Sequence, residues 1–275
     1  TLIMNNLEFD HADIFDDLAA IQKQFHHLVR TVPSEGLLIL PACVSNLAEV
    51  LEQGAWTPAQ YFSNSDALCQ WRSELKSSDG SSFDIWLDGE LQGQVNWSLL
   101  GEHNVSNAMA AVVAARHIGI APSNAIKSLT KFEGVKRRME VIGQIDGVTI
   151  YDDFAHHPTA IATTLAGLRA KTGSGRIIAV LEPRSNTMQM GVHKDELCES
   201  ATDADLVYWY QSTALQWNLS DAVASYDGQL VANSIDELVS RLCEQATAGD
   251  SILIMSNGSF AGIYKKLLAA LEARI

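Results

Sequence analysis

The sequence is short of positive charge. Its 275 residues carry 19 Lys and Arg against 33 Asp and Glu, a formal net charge of -14. A surface of that sign repels a phosphate backbone, which excludes a general nucleic-acid binder or an anionic-membrane binder and leaves room only for a local basic pocket. Cysteine is scarce as well: Cys43, Cys69, Cys198 and Cys243 are too scattered for a zinc knuckle or a disulfide framework, so a reduced, cytoplasmic setting is expected. Long apolar runs are missing. The longest, Ala108 to Ala121, is interrupted by Arg116 and His117 and falls short of the roughly 20 residues of a membrane span, so no membrane association is expected. The first residues, TLIMNNLEFDHADIF, have neither the basic flank nor the small-residue cleavage site of a secretory signal. No Gly-Lys pair occurs, which removes the G-x-x-x-x-G-K-[ST] phosphate loop; a G-x-S-x-G elbow and a G-x-G-x-x-G dinucleotide loop are absent too.

What is present is a 47% hydrophobic chain, enough for one large core or two medium ones. Strand and helix patterns alternate through the first part: an apolar run at Thr1 to Leu7, a helical face at Leu18, Ile21, Phe25 and Leu28, a buried strand GLLIL at Gly36 to Leu40, and a short helix over Ser45 to Gln53. The Ser, Gly and Asp-rich stretch between Asp66 and Val95 reads as a surface hairpin. Two helices follow, over Asn104 to Ile118 and Ser123 to Lys131. The segment KFEGVKRR breaks the periodicity with a glycine and four basic residues, placing a domain border near Arg138. Beyond it the alternation restarts, with strands GVTIY, RIIAVL, Asp205 to Tyr208 and SILIM, and helices over Thr159 to Leu168, Lys194 to Ala201, Ser234 to Ala246 and Phe260 to Ala273. Continuous apolar strands separated by helices predict a parallel sheet covered on both faces, a doubly wound α/β domain.

In such sheets ligands collect beyond the carboxyl ends of the strands, and four polar clusters fall there. Glu8, Asp10 and His11 follow the first strand and suit Mg²⁺ or Mn²⁺ beside a phosphate, or equally cap the next helix. Asp152, Asp153, His156 and His157 gather two acids and two imidazoles, fit for ribose hydroxyls, a metal or proton transfer, or for a helix cap with surface histidines. Arg184 with Ser185, Asn186 and Thr187 offers fixed donors for a planar carboxylate, or a solvent-facing turn. Ser256-Asn257-Gly258-Ser259 is the fourth. Asn104 and Asn107 open the Ala-rich helix with two amides that could pair with an adenine edge or cap the helix, and Lys136, Arg137 and Arg138 could neutralise phosphate or form a solvated linker.

Together the clusters resemble the Mur ligase family, ATP-dependent amide-forming enzymes of bacterial peptidoglycan metabolism. NNLEFDH is similar to the family's N-x-x-x-D-H segment, GEHNVSNAMAA to its G-x-H-N-x-x-N-A helix start, and GVKRRME to its G-x-x-x-R-(D/E) hinge. DDFAHHPTAI is similar to the D-D-Y-G-H-H-P-T-E of the alanine-adding branch, whereas EPRSNTM resembles the branch that joins L-alanyl-γ-D-glutamyl-meso-diaminopimelate to UDP-N-acetylmuramate during wall recycling. The resemblance implies the remainder of a central ATPase domain over residues 1–138 and a C-terminal, mostly parallel, Rossmann-like domain over 139–275 that binds the acceptor peptide. It implies ATP and Mg²⁺ as cofactors and UDP-N-acetylmuramate and the murein tripeptide as substrates, with the oligomeric state left open.

Carried over, it implies that His11 ligates Mg²⁺, Asn104 and Asn107 contact adenine, Arg138 meets ATP phosphate and Asp153 the ribose, with His156 near the reacting centre. Arg184, Ser185, Asn186 and Thr187 would line the acceptor pocket. Such chemistry needs cations and positioned donors more than a protein nucleophile. The family's amino-terminal domain, phosphate loop, upstream acid and carbamylated lysine have no counterpart here, so a fragment that does not turn over ATP by itself is expected. The alternatives are an L-alanine-adding ligase and a non-catalytic peptide- or nucleotide-binding module.

Overall fold

In the computed structural model, which describes residues 1–274, the first of two units, Thr1–Glu133, is built on one six-stranded sheet. Its elements are β1 (Leu2–Ile3), α1 (Leu18–Val29), β2 (Leu38–Pro41), α2 (Ser45–Glu52), β3 (Ala59–Ser63), β4 (Trp71–Leu75), β5 (Ser82–Leu87), β6 (Glu90–Asn96), α3 (Glu102–His117) and α4 (Pro122–Leu129). The strands lie in sequence order; β1 to β4 are parallel, and β4, β5 and β6 form an antiparallel meander. The apolar run at β2 is continuous because both faces are covered. Leu38 and Leu40 pack with Ile21 of α1 and Leu47 and Val50 of α2, while Leu37 and Ile39 join Val105, Met109 and Val112 of α3 on the other face. Asp17 starts α1 by accepting the Ala20 N–H at 2.8 Å.

The stretch expected to be a surface hairpin is instead half of this sheet. Trp71, Phe83, Ile85 and Val95 are wholly buried. Its polar look came from residues that are answered locally: Asp84 is buried but meets the Lys76 ammonium at 3.1 Å. The corner at Asp79-Gly80 also sets the start of α3. The Asp79 carbonyl accepts the Gly101 N–H at 2.7 Å, and Gly80, at φ 78°, lies so close to Gly101 that a Cβ would come within 3.1 Å of its carbonyl oxygen. Strand β1 is also shorter than the expected Thr1 to Leu7, although Met4 still donates to the Ile39 carbonyl.

The second unit, from Gly134 onward, contains β7 (Glu140–Ile145), β8 (Val148–Asp153), α5 (Pro158–Thr172), β9 (Ile177–Leu181), α6 (Asn186–Gln189), α7 (Lys194–Leu197), β10 (Leu206–Tyr210), α8 (Leu219–Val223), β11 (Gln229–Ala232), α9 (Ile235–Gln245), β12 (Ser251–Met255) and α10 (Ile263–Glu272). The sheet order is β11-β10-β9-β12-β8-β7, parallel throughout except for the β7–β8 pair. One face buries Ile150, Ile178, Val180 and Ile254 against α9 and α10; the other buries Tyr151, Ala179, Leu181 and Met255 with Ile161 and Leu165 of α5. Fully burying one such aliphatic side chain contributes about 1.5–3 kcal/mol, which is why β12, with all five residues buried, sits at the centre.

Two helices differ from expectation. The helix over Lys194 to Ala201 is broken into α7 and a short 3₁₀ turn, Glu199–Ala201. The last helix starts at Ile263 rather than Phe260, because Phe260, Ala261 and Gly262 are left-handed, at φ 43°, 46° and 76°.

Candidate functional site

In the first unit, the loop leaving β1 and the start of α3 are joined through amide side chains. Asn5 donates through Nδ2 to Asn107 Oδ1 at 2.8 Å, and Asn107 leans back toward Asn104 Oδ1 at 3.4 Å. Asn104 does not cap the helix; its Nδ2 donates to the Leu100 carbonyl at 2.7 Å and fixes the chain before Gly101. Asn64, in the loop after β3, donates to Ser106 Oγ at 2.8 Å. The exits of β1 and β3 therefore converge on the first two turns of α3. His11 is exposed in a left-handed conformation, φ 55°, with its N–H donating to Asp10 Oδ1 at 2.7 Å and its carbonyl accepting the Ile14 and Phe15 N–H groups. Among the described residues no group of three His, Cys, Asp or Glu side chains is placed to hold a metal ion.

In the second unit, β8, β12 and β9 are adjacent and parallel, so three of the four polar clusters stand side by side at their carboxyl ends. The clusters are bonded to one another. Ser256 Oγ donates to Glu182 Oε2 at 2.5 Å and accepts the Gly258 N–H at 2.9 Å, and the Ser256 N–H donates to the Asp153 carbonyl at 3.1 Å. Arg184 lies across Gly258, where a Cβ would collide with its guanidinium. Ser185 caps α6 by accepting the Met188 N–H at 3.3 Å; Asn186 is exposed, and Thr187 is buried, 1% accessible. His156 meets the Phe154 carbonyl through Nδ1 at 3.1 Å, and the His157 and His193 rings stand edge to face with centroids 4.5 Å apart.

The basic segment opens this unit and bonds to the exit of β8. Arg137 donates through Nε to Asp152 Oδ2 at 3.3 Å and through Nη2 to the carbonyls of Ser256 at 2.5 Å and Gly258 at 2.8 Å. Two residues on, the Met139 N–H donates to Asp153 Oδ2 at 2.8 Å, and Asp153 Oδ1 accepts the Ala155 N–H at 2.7 Å. Burial raises the Asp153 carboxyl above its ordinary range, against those two N–H groups and Arg138. Burial likewise raises Asp152, opposed by the Tyr264 hydroxyl and Arg137, and burial with the Asp152 charge raises Tyr264. Arg138 is exposed, its guanidinium 5.6 Å from the centre of the Phe154 ring. A separate recess of about 340 Å³, lined by Lys194, Cys198, Trp217 and Tyr226 among others, contains none of the expected site residues.

Sequence reasoning gave no role to Asn5, Glu182 or Ser256, left Asp152 among ribose binding, metal binding, proton transfer and helix capping, and left Arg137 between phosphate neutralisation and a linker. The signal for Ser256 and Glu182 was positional: both follow fully apolar strands directly.

Residues 2–115 match the Mur ligase middle domain and residues 137–258 the Mur ligase glutamate ligase domain. The chain belongs to the Mur ligase family. It is 49% identical over its whole length to UDP-N-acetylmuramate L-alanyl-gamma-D-glutamyl-meso-2,6-diaminoheptandioate ligase of Escherichia coli K12, covering 60% of that protein. It is similar to a crystal structure described as a murein peptide ligase from Psychrobacter arcticus, with 46% identity and a TM-score of 0.72 over 98% of this chain and 57% of that one. The UDP-N-acetylmuramate-alanine ligase of Thermotoga maritima shares the Mur ligase fold, with a TM-score of 0.78 at 16% identity, covering 100% of this chain and 60% of that one. The chain thus spans about three fifths of the length of the curated relatives it matches.

Proposed function

We propose that this chain provides part of the nucleotide site, over residues 1–138, and the acceptor domain, over residues 139–275, of an ATP-dependent ligase. The ligase joins L-alanyl-γ-D-glutamyl-meso-diaminopimelate to UDP-N-acetylmuramate in bacterial cytoplasm. The observation that carries this reading is the alignment of the β8, β12 and β9 exits, with the start of antiparallel β7 beside the β8 exit, so that Arg138, His156 and the Arg184 segment lie on one edge of the second unit. Identity of 49% and 45% to two ligases of that name supports the tripeptide as acceptor.

ATP supplies a phosphoryl group to the muramate carboxylate; the peptide amine displaces phosphate from the resulting acyl phosphate and loses a proton as the amide forms. The residues of this chain bind and orient. Arg138, exposed and cationic, is placed to meet phosphate oxygens. Asp153, each oxygen of which accepts one backbone N–H, is the ribose-hydroxyl partner in this reading. Asn104 and Asn107 present amides at the start of α3 for an adenine edge. His156, its Nδ1 at 3.1 Å from the Phe154 carbonyl, stands near the reacting centre in this reading. Arg184, Ser185 and Asn186 would receive the acceptor's carboxylates, while Thr187 supports the pocket from beneath. His11 is the Mg²⁺ ligand in this reading; the described residues gather no complete donor set, so no step is assigned to the metal.

Calorimetric titration of the chain with the tripeptide, with L-alanine as comparison and Arg184→Ala alongside, tests the assignment. Heat selective for the tripeptide and lost in the variant is the expected result. Selective heat with L-alanine would move the chain to the alanine-adding branch, and no heat with either would remove the acceptor pocket from this chain.

A further inference from the structure

Arg137 is the residue of the second unit that the reaction chemistry leaves unused and the geometry uses most. Its guanidinium faces inward, 29% accessible, and holds three segments: the Asp152 carboxylate at the end of β8, the Ser256 and Gly258 carbonyls after β12, and the Tyr264 hydroxyl of α10 at 3.5 Å. It also stacks 5.1 Å from the centre of the Phe154 ring. Its own N–H donates to Glu140 Oε2 at 2.8 Å.

The backbone around it is unusual. Arg137 and Met139 are both left-handed, at φ 59° and 53°. Side chains other than glycine avoid that region at a cost of roughly 1–2 kcal/mol per residue, so something must hold each one there. Two carboxylates do so. Arg137 is anchored by its side chain to Asp152, and Met139 by its N–H to Asp153. Arg138 lies between two pinned left-handed residues, directed outward, while its predecessor is directed in. A lysine at 137 could serve the two carbonyls, which Arg137 reaches through Nη2 alone, but has no second nitrogen to meet Asp152 at the same time as Nε does here.

We propose that Arg137 is a positioning residue that sets the location of Arg138 and of the Ser256–Gly258 loop for the bound nucleotide, its own charge never touching the substrate. The proposal rests on the reading of Arg138 as a phosphate ligand. A displacement of about 1 Å at such a group can cost on the order of 100-fold in rate, which sets the scale of the effect.

The test is steady-state kinetics in the full-length gene product, comparing wild type with Arg137→Ala, Arg137→Lys and Arg138→Ala, each with its melting temperature. Arg137→Ala is expected to lower kcat/KM for ATP by about 100-fold, to leave the KM for UDP-N-acetylmuramate near the wild-type value, and to be restored only partly by Arg137→Lys. Wild-type kinetics for ATP in folded Arg137→Ala would overturn the proposal. If the alanine variant fails to fold, the lysine variant carries the decision, and full wild-type behaviour there would equally overturn it. The underlying reading fails separately, through an active wild type in which Arg138→Ala leaves the KM for ATP unchanged.

Discussion

Asp152 and Asp153 are consecutive in β8, so their side chains leave the strand on opposite faces, yet both return to the same basic segment. One accepts from the Arg137 side chain and the other from the Met139 backbone. This is invisible in the sequence, where KRR reads as three equivalent charges; only the fold separates an inward Arg137 from an outward Arg138. The pair also sets a direction for pH effects. Because burial raises both carboxyls, their contribution to stability is full below the ordinary value near 3.8 and is lost as pH rises through the raised values. Asp205 behaves in the opposite sense: burial alone would raise it, but the Ile177 N–H at 2.7 Å and Arg169 more than offset this and lower it. Its contribution is present above the ordinary value of 3.8 and is lost as pH falls through the lowered one. Asp205→Asn is expected to flatten the acid limb of the stability profile, measured by urea unfolding between neutral and acid pH; an unchanged acid limb would assign that limb to other carboxylates.

At the scale of elements, legibility followed burial on two faces. The strands β2, β9, β10 and β12 read as strands because almost every position is apolar, β8 reads as one from its leading GVTIY run, and the expected doubly wound sheet is present in the second unit. Strands β3, β7 and β11 were not anticipated. Gln60, Tyr61, Gln144 and Leu230 leave part of each exposed or carry polar side chains, so the apolar run that marks a buried strand is broken. The meander of β4, β5 and β6 was misplaced on the surface for a related reason: its turn at Ser77 to Ser82 is dense in Ser, Gly and Asp, and turn composition outweighed the apolar residues on either side. Trp71 is the sharpest check on the corrected picture. It is fully buried at the first residue of β4, its Nε1 donating to Gln60 Oε1 at 3.3 Å. Trp71→Ala is expected to destabilise the first unit by about 3–5 kcal/mol, read from the urea midpoint of that unit. A loss below about 1 kcal/mol would return the segment to the surface.

For the molecule as a whole, the clusters at strand exits were legible because α/β sheets direct chemistry there; the hydrogen-bonded order among them was not, since it depends on which strands become neighbours. The order of the second sheet carries a further consequence. Its central strand, β12, is the last strand of the unit to leave the ribosome, and it inserts between β8 and β9, made about 70 to 100 residues earlier. Until it arrives, those two strands have no shared edge and their apolar faces have no middle. Contacts of such long sequence separation form late. The unit therefore cannot be half finished: synthesis interrupted before residue 251 leaves a gap rather than a smaller sheet. A chain cut after Asp250 is expected to keep the near-ultraviolet dichroism and protease resistance of the first unit and lose those of the second, and retained resistance in the second would refute this dependence. A premature stop would then yield a product exposed to proteolysis rather than a stable second unit.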